Sequence, residues 1–449
     1  MTTEREIALR VALRLRAAGH DALFAGGCVR DHIRGVKPKD YDIATSARPE
    51  EVQALFSHTV AVGAAFGVVL VIEEEHHFEV ATFREDVGIL DGRHPVQVRY
   101  ADAKADALRR DFTINGMFED PESGEVLDFV GGREDLRARR VRSIGDPARR
   151  YSEDRLRMLR AIRFATTLEF ALDPATMRAV RSEAAAIHEV SAERIRDELI
   201  ELLTSGHGGR GLGLLLESGL LDEILPEVAA MGGVAQPSQF HPEGDVLTHT
   251  RMLLDGFRGE GEAVALAALL HDVGKPPTAT INDKGRIAFP NHAAVGAEMS
   301  EEILRRLRFP NRIIEQVTHL IARHMDWGSL PLMRAAKQRR FLLREDFPLH
   351  LELHRLDCEA CHRDFEIHRF AILERARLQA EPPPVKPLVN GHDLMSLGFA
   401  AGPGLGRILE ALLDAQLEER VATREEAFVF VREGFAPPDG RAIAEAGRS

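Results

Sequence analysis

The sequence is poor in cysteine, in large aromatic residues and in uninterrupted apolar stretches. Three cysteines in 449 residues cannot build a disulfide framework, which excludes a secreted, disulfide-stapled scaffold and points to a reducing compartment, the cytoplasm. One tryptophan and three tyrosines leave little for extended stacking on single strands. No apolar run nears the roughly 20 residues that cross a bilayer, and the N-terminal MTTEREIALRVALRLRAAG interrupts its apolar positions with charges, so neither a signal peptide nor a membrane span is expected. Positive charge is also in deficit. Lys plus Arg number 58 against 71 Asp plus Glu, a net charge of −13, so any nucleic-acid contact must come from a local basic surface.

What remains is globular composition, 44% hydrophobic and 29% charged, long enough for several cores at about 150 residues per domain. Ile7, Val11, Leu13 and Leu15 lie among charges at helical spacing and predict an amphipathic helix over 4–18, before a strand-like Ala22 to Ala25. GVVLVI (67–72) and FEVATF (78–83) flank the charged turn EEEHH and read as a β-hairpin. The first ~130 residues are thus α+β. From Arg139 onward strand patterns almost vanish, and RLRMLRAIRFATTLEF and ERIRDELIELLT space apolar residues three and four apart, as packed helices do. Gly- and Pro-dense breaks are expected over 232–244 and 381–387.

The segment FAGGCVRDHIRG…KDYDIAT sets Gly26 and Gly27 at a strand end and Asp40 and Asp42 two residues apart. In a strand, residues two apart share a face. Paired carboxylates on one face can hold Mg²⁺ bridging a nucleoside triphosphate and an attacking hydroxyl, and glycines let backbone N–H groups approach phosphates. Glu79, in the neighbouring hairpin strand, is a candidate third carboxylate. Standing alone, a DxD or a Gly-Gly is an ordinary turn. The ordered set GGCVRD, DYD, EVATFR, RRDFTING and YSEDRLRMLRAIRFA is not ordinary.

On that set, from about residue 20 to 225 and more weakly beyond Val385, the chain resembles the class II tRNA nucleotidyltransferase and bacterial poly(A) polymerase family, polymerase β-like nucleotidyltransferases. The resemblance implies an α+β nucleotidyltransferase head followed by an all-helical neck, an HD body and a tail, here 1–138, 139–230, 240–380 and 385–449. It implies that Asp40 and Asp42 hold catalytic Mg²⁺ and that Gly26, Gly27 and Arg30 cradle the triphosphate. Arg109, Arg110 and Asp111 would contact the incoming nucleotide and its ribose. Partners would be tRNA, CTP and ATP, with no membrane.

A helix starting near Tyr151 would carry Glu153, Asp154 and Arg157, with Asp154 and Arg157 on one face. Cytosine and adenine each present an exocyclic amine beside a ring-nitrogen acceptor, so one carboxylate and one arginine pair with either, whereas uracil and guanine present the reverse. A surface salt bridge is the ordinary alternative. The resemblance implies the amino-acid template that selects CTP and ATP. Between Arg84 and Arg109, EDVGILDGRHPVQVRYADAKADAL resembles the flexible loop of CCA-adding enzymes, which CC-adding relatives shorten. That argues against stopping after two cytidines and leaves CCA addition, addition of the terminal A and poly(A) synthesis open. Arginines concentrated over 131–164 give the local basic surface that RNA phosphates need.

Further on, His249, His271, Asp272 and Asp357 match the H…HD…D pattern of the HD phosphohydrolase superfamily, with His292 and His324 where two-metal members carry extra ligands. Imidazoles and carboxylates from separate helices suit a divalent transition metal. An HD fold serving only as an RNA-binding body is the alternative. Cys358 and Cys361 form a single CxxC beside His362, which reads as helix packing before zinc binding. The segment from Leu388 resembles the family's C-terminal tail. The expected main function is template-independent addition of CCA, or its terminal A, to tRNA 3′ ends with pyrophosphate release. A poly(A) polymerase and an HD phosphohydrolase acting on nucleotide or RNA ends are the alternatives.

Overall fold

The computed structural model describes residues 3–63, 67–89, 95–237, 244–281, 283, 285–361, 363–380, 387–418 and 420–435. They fall into two compact units, Met1–Ile321 and Ala322–Ser449. Among the described residues no helix is long and apolar enough to cross a membrane.

The first unit opens with α1 (Glu4–Ala17), where the Thr3 hydroxyl and the Glu6 carboxylate form a reciprocal capping box. Its Ile7, Val11 and Leu15 are buried, as their spacing predicts. There follow β1 (Ala22–Ala25), α2 (Gly27–Ile33), β2 (Asp42–Thr45), α3 (Pro49–Leu55), β3 (Thr59–Gly63), β4 (Val68–Glu73) and β5 (His76–Thr82). The β4–β5 hairpin turns through Glu74 and Glu75, both at positive φ (48° and 66°), the backbone of a tight two-residue turn. β6 (Arg84–Ile89) and β7 (Pro95–Tyr100) pair as a separate hairpin, followed by α4 (Ala103–Arg109). The segment expected to be a loop is therefore largely regular, with 90–94 outside the described residues. β8 (Met117–Glu119) and β9 (Val126–Asp128) complete a seven-stranded sheet of order β3-β4-β5-β2-β1-β8-β9.

Register decides where side chains meet. β1 is antiparallel to β2 with Ala25 opposite Asp42, and β2 is parallel to β5 with Ile43 beside Val80. The Gly26 turn, Asp42 and Glu79 therefore reach the same end of the sheet. The sheet is packed on both faces, with Phe24 and Ile43 on one and Phe83 and Phe118 on the other, all at most 2% exposed and each contributing about 1.5–3 kcal/mol of burial free energy.

Helices then dominate, as expected: α5 (Gly132–Arg137), α6 (Pro147–Glu153), α7 (Leu156–Thr167), α8 (Pro174–Glu183), α9 (Ala192–Leu203), α10 (Gly208–Glu217), α11 (Leu220–Ile224) and α12 (Pro226–Ala229). α13 (Val246–Asp255), α14 (Glu262–Leu270), α15 (Lys275–Thr278), α16 (His292–Arg306) and α17 (Asn311–Arg323) follow. α7 buries Leu156, Met158, Leu159 and Ile162, while α9 buries Ile195, Leu199, Leu202 and Leu203, which turns Arg194, Glu198 and Glu201 to another face. In the second unit, Trp327 stacks on His354 (ring centroids 4.1 Å) and meets Phe341 edge-on, tying together the helices Ala335–Leu342 and Phe347–Ala360. The last three helices share a core of Leu394, Leu412, Ala427 and Val431. Of the expected breaks, 238–243 and 381–386 lie outside the described residues.

Candidate active site

Where Gly26, Asp42 and Glu79 meet, a cleft of about 600 Å³ opens, walled by the sheet end, α7 and α9. Asp40, Asp42 and Glu79 all line it. Asp40 is not on the strand, because β2 begins at Asp42; the preceding residues bend so that Tyr41 buries its ring against Phe24 at 5.4 Å. Tyr41 turns the other way between them, so both carboxylates line the cleft although only Asp42 lies on the strand. Burial raises the Asp42 pKa to about 7, the neighbouring carboxylates of Asp40 and Glu79 add to the rise, and Arg110 opposes it. Three carboxylates held this close favour a bound cation.

Gly26 is at φ +74°, and a Cβ there would sit 3.1 Å from Arg110 Nη1 and 3.9 Å from Asp42 Oδ2, so the backbone can face the cleft only without a side chain. Gly27 and Arg30 follow on α2, where Arg30 donates to Asn115 Oδ1 (2.8 Å) and pairs with Asp31. Arg109 and Arg110, at the end of α4, are both held by Asp106, a carboxylate 1% exposed, at 2.8 and 3.2 Å from their Nε atoms. Asp106 also accepts from the Arg84 N–H at the foot of the β6–β7 hairpin. Asp111 lines the cleft but its carboxylate is already engaged by Arg160, at 2.8 and 2.9 Å. Burial alone would raise its pKa, but the Arg160 guanidinium, helped by Arg157 and the Phe112 N–H, holds it below the usual range.

The expected single helix through Glu153, Asp154 and Arg157 is two helices. α6 stops at Glu153, Asp154 is extended (φ −151°, ψ 109°), and α7 starts at Leu156, whose N–H the Asp154 carboxylate accepts. Asp154 and Arg157 both line the cleft without pairing through their side chains. Asp154 is clamped by Arg194 at 2.8 and 3.2 Å, and Arg157 is held by Glu153 (2.9 Å) and by the Arg109 carbonyl (3.1 Å). Glu153 stands behind the cleft, also binding Arg150 at 2.8 Å.

Six further residues were not expected from the sequence: Arg194, Glu198 and Glu201 of α9 and their partners Lys39, Arg160 and Arg163. On α9, Arg194, Glu198 and Glu201 stand four and three residues apart on one face. Arg194 holds Asp154, Glu198 holds Arg160 and Arg163, and Glu201 lies 3.9 Å from Lys39. Arg163 in turn lies over the Phe164 ring at 4.1 Å. The spacing on α9 was visible, but its partners lie 35 to 162 residues away.

A second set lies farther along the first unit. His249, His271 and Asp272 are at most 2% exposed and His292 is 8% exposed. The imidazole Nε2 atoms of His249, His271 and His292 stand 4.0, 3.3 and 3.7 Å from the Asp272 carboxylate. Lys275 reaches the same carboxylate at 2.6 Å and Gln236 at 2.6 Å. Burial lowers the His292 pKa, which keeps its imidazole neutral and able to donate a lone pair. Gly274 makes this approach feasible, since a Cβ there would lie 2.2 Å from the His292 carbonyl and 2.6 Å from the Gly296 nitrogen. His324 and Asp357 belong to the second unit, where Asp357 accepts from the Cys361 thiol at 3.5 Å. Cys358 is buried on its helix, in keeping with packing, and His362 lies outside the described residues.

Convergent carboxylates, a glycine turn and paired arginines in one cleft define a nucleotidyltransferase that uses divalent metal. Comparison with known proteins agrees. Residues 22–142 match the Poly A polymerase head domain, 169–231 the probable RNA and SrmB-binding site of polymerase A, and 245–363 the HD domain. The chain is 36% identical over 431 residues to the A-adding tRNA nucleotidyltransferase of Deinococcus radiodurans, covering 92% of this chain and 95% of that one. It is 35% identical to the CC-adding tRNA nucleotidyltransferase of Thermus thermophilus (92% and 93% covered) and 31% to the CCA-adding enzyme of Geobacillus stearothermophilus (93% and 94%). Its structure is similar to the Bacillus stearothermophilus CCA-adding enzyme in complex with CTP, with a TM-score of 0.74, 27% identity and 97% and 98% coverage. The chain belongs to the tRNA nucleotidyltransferase and poly(A) polymerase family. It is an enzyme, and the tRNA reading stands over poly(A) synthesis and HD hydrolysis.

Proposed function

We propose that this protein adds CCA, or its terminal A, to tRNA 3′ ends from CTP and ATP without a nucleic-acid template, releasing pyrophosphate in the cytoplasm. The observation that carries the reading is that the carboxylates, the glycine turn, the cleft arginines and the Asp154/Arg157 pair line one cleft. Asp40 and Asp42, with Glu79 beside them, would hold Mg²⁺, which supplies charge neutralisation to the triphosphate and eases deprotonation of the primer hydroxyl. Gly26 and Gly27 would admit phosphate to the backbone, and Arg30, Arg109 and Arg110 would supply cationic donors. Asp111, fixed by Arg160, would present its remaining acceptor capacity to a sugar hydroxyl. Asp154 and Arg157 would read the base edge, accepting from the exocyclic amine and donating to the ring nitrogen, with Glu153 orienting Arg157.

His249, His271, Asp272 and His292 suit a divalent transition metal by donor type and burial; metal analysis of the purified full chain tests this, and a metal-free protein would overturn it. The four parts, 1–138, 139–230, 240–380 and 385–449, are proposed as head, neck, body and tail. The activity test offers Mg²⁺ with CTP, ATP or both to tRNA transcripts ending before CCA, after C and after CC, with an unrelated RNA alongside. Growth to CCA, or one A on the CC-ended tRNA, is expected. Long A tails on the unrelated RNA, or no incorporation, would overturn the proposal.

A further inference from the structure

The cleft must receive two polyanions, a nucleoside triphosphate and the RNA strand whose 3′ hydroxyl reacts. The cations beside the glycine turn are firmly anchored: Arg30, Arg109 and Arg110 keep side-chain exposures of 12%, 20% and 19% and are each fixed by an acidic partner. Lys39 differs in every respect. It adjoins Asp40, lines the same cleft, and keeps 85% of its side chain exposed. Its ammonium lies 3.9 Å from Glu201 of α9, itself 60% exposed, a separation and exposure at which an ion pair holds weakly. Glu201 is the last member of the α9 stripe; the other two, Arg194 and Glu198, hold shielded groups at 2.8 and 2.5 Å.

Resting on the proposed function, we infer that Lys39 binds a backbone phosphate of the reacting RNA strand and that Glu201 is the placeholder the phosphate displaces. A flexible ammonium at the rim next to a carboxylate of the metal site is placed to receive the strand that must approach those carboxylates. A phosphate contact carries no base information, so it serves each successive acceptor end equally. The nearby glutamate masks the lysine when RNA is absent and becomes a like-charge neighbour of the phosphate when RNA arrives. The two residues therefore oppose each other in RNA binding, although both sit at one contact.

The opposed signs give the test. With the full chain, tRNA ending before CCA and no nucleotide, equilibrium binding is measured across a salt series for the parent, Lys39→Gln and Glu201→Gln, with CTP binding measured alongside. Lys39→Gln is expected to weaken tRNA binding about three- to tenfold and to reduce the salt slope by about one, with the loss falling on tRNA and not on CTP. Glu201→Gln is expected to tighten tRNA binding about two- to threefold. Unchanged tRNA affinity in Lys39→Gln, a loss falling on CTP, or weaker tRNA binding in Glu201→Gln would each overturn the inference. Because binding is read without turnover, this outcome is separate from whether the chain adds nucleotides.

Discussion

Replacing Asp42 by asparagine tests the cleft through stability and activity at once, and the two move in opposite directions. Burial and the carboxylates of Asp40 and Glu79 raise the Asp42 pKa from 3.8 to about 7 in the metal-free protein. A folded-state pKa above the unfolded value means that the stabilising protonated form is fully present below about pH 4 and is lost as pH rises through about 7. Three units at 1.36 kcal/mol each set a ceiling of about 4 kcal/mol on the ionisation penalty at pH 8, and local relaxation reduces this to about 2–4 kcal/mol. Asparagine keeps the shape and has no charge to bury. In EDTA at about pH 8, Asp42→Asn is therefore expected to melt at least about 4 °C above the parent, with the gap falling below half at about pH 5. Mg²⁺ should raise the parent's melting temperature and leave the variant's nearly unmoved, and nucleotide incorporation should be abolished in the variant. A variant no more stable than the parent at pH 8, or a gap that does not shrink on acidification, would refute the account of three crowded carboxylates.

Arg194→Ala removes the two-point clamp on Asp154, and discrimination of CTP and ATP against UTP and GTP is expected to fall about tenfold in competition assays. Arg194→Lys should restore only part of it, because an ammonium cannot make the paired contact; full discrimination in the alanine variant would show that Asp154 is held by other means. Gly274→Ala drives a Cβ into the His292 carbonyl and the Gly296 nitrogen, backbone atoms with no rotamer to yield, and is expected to cost about 2–4 kcal/mol in denaturant unfolding. A loss under about 1 kcal/mol would mean that the approach of α15 to α16 is looser than 2.2 Å implies.

Local patterns were legible wherever one segment supplied both the signal and the structure. The apolar spacing of residues 7, 11 and 15 became a buried helix face, and GVVLVI and FEVATF became paired strands whose register carries Glu79 beside Asp42. Asp40 lies in the cleft with Asp42, although it precedes the strand. β2 begins only at Asp42, and Tyr41, packed against Phe24, separates the two carboxylates. The segment 84–100 was polar enough to read as a loop, yet its two strands satisfy each other's backbone, which composition does not report.

Asp154 and Arg157, the pair proposed to read the base, show what a long-range partner changes. On an uninterrupted helix, Asp154 and Arg157 would stand one turn apart and be free to neutralise each other, leaving a closed ion pair where a base edge has to be read. Asp154 stops the first helix by turning its carboxylate to the Leu156 N–H, the competition with helix that makes aspartate a capping residue. The break hands each charge to another holder: Arg194, 40 residues on, takes Asp154, and Glu153 with the Arg109 carbonyl takes Arg157. Both groups thus stay in the cleft, fixed and separately compensated. The sequence SEDRLR carries the signal for the break, an aspartate two residues before an apolar helical run, but the reason for it lies on α9, where the same face that holds Asp154 also holds Arg160, Arg163 and the rim lysine. A disturbance of α9 should accordingly reach base choice, ribose contact and RNA approach together, although of its residues only Glu201 lines the cleft.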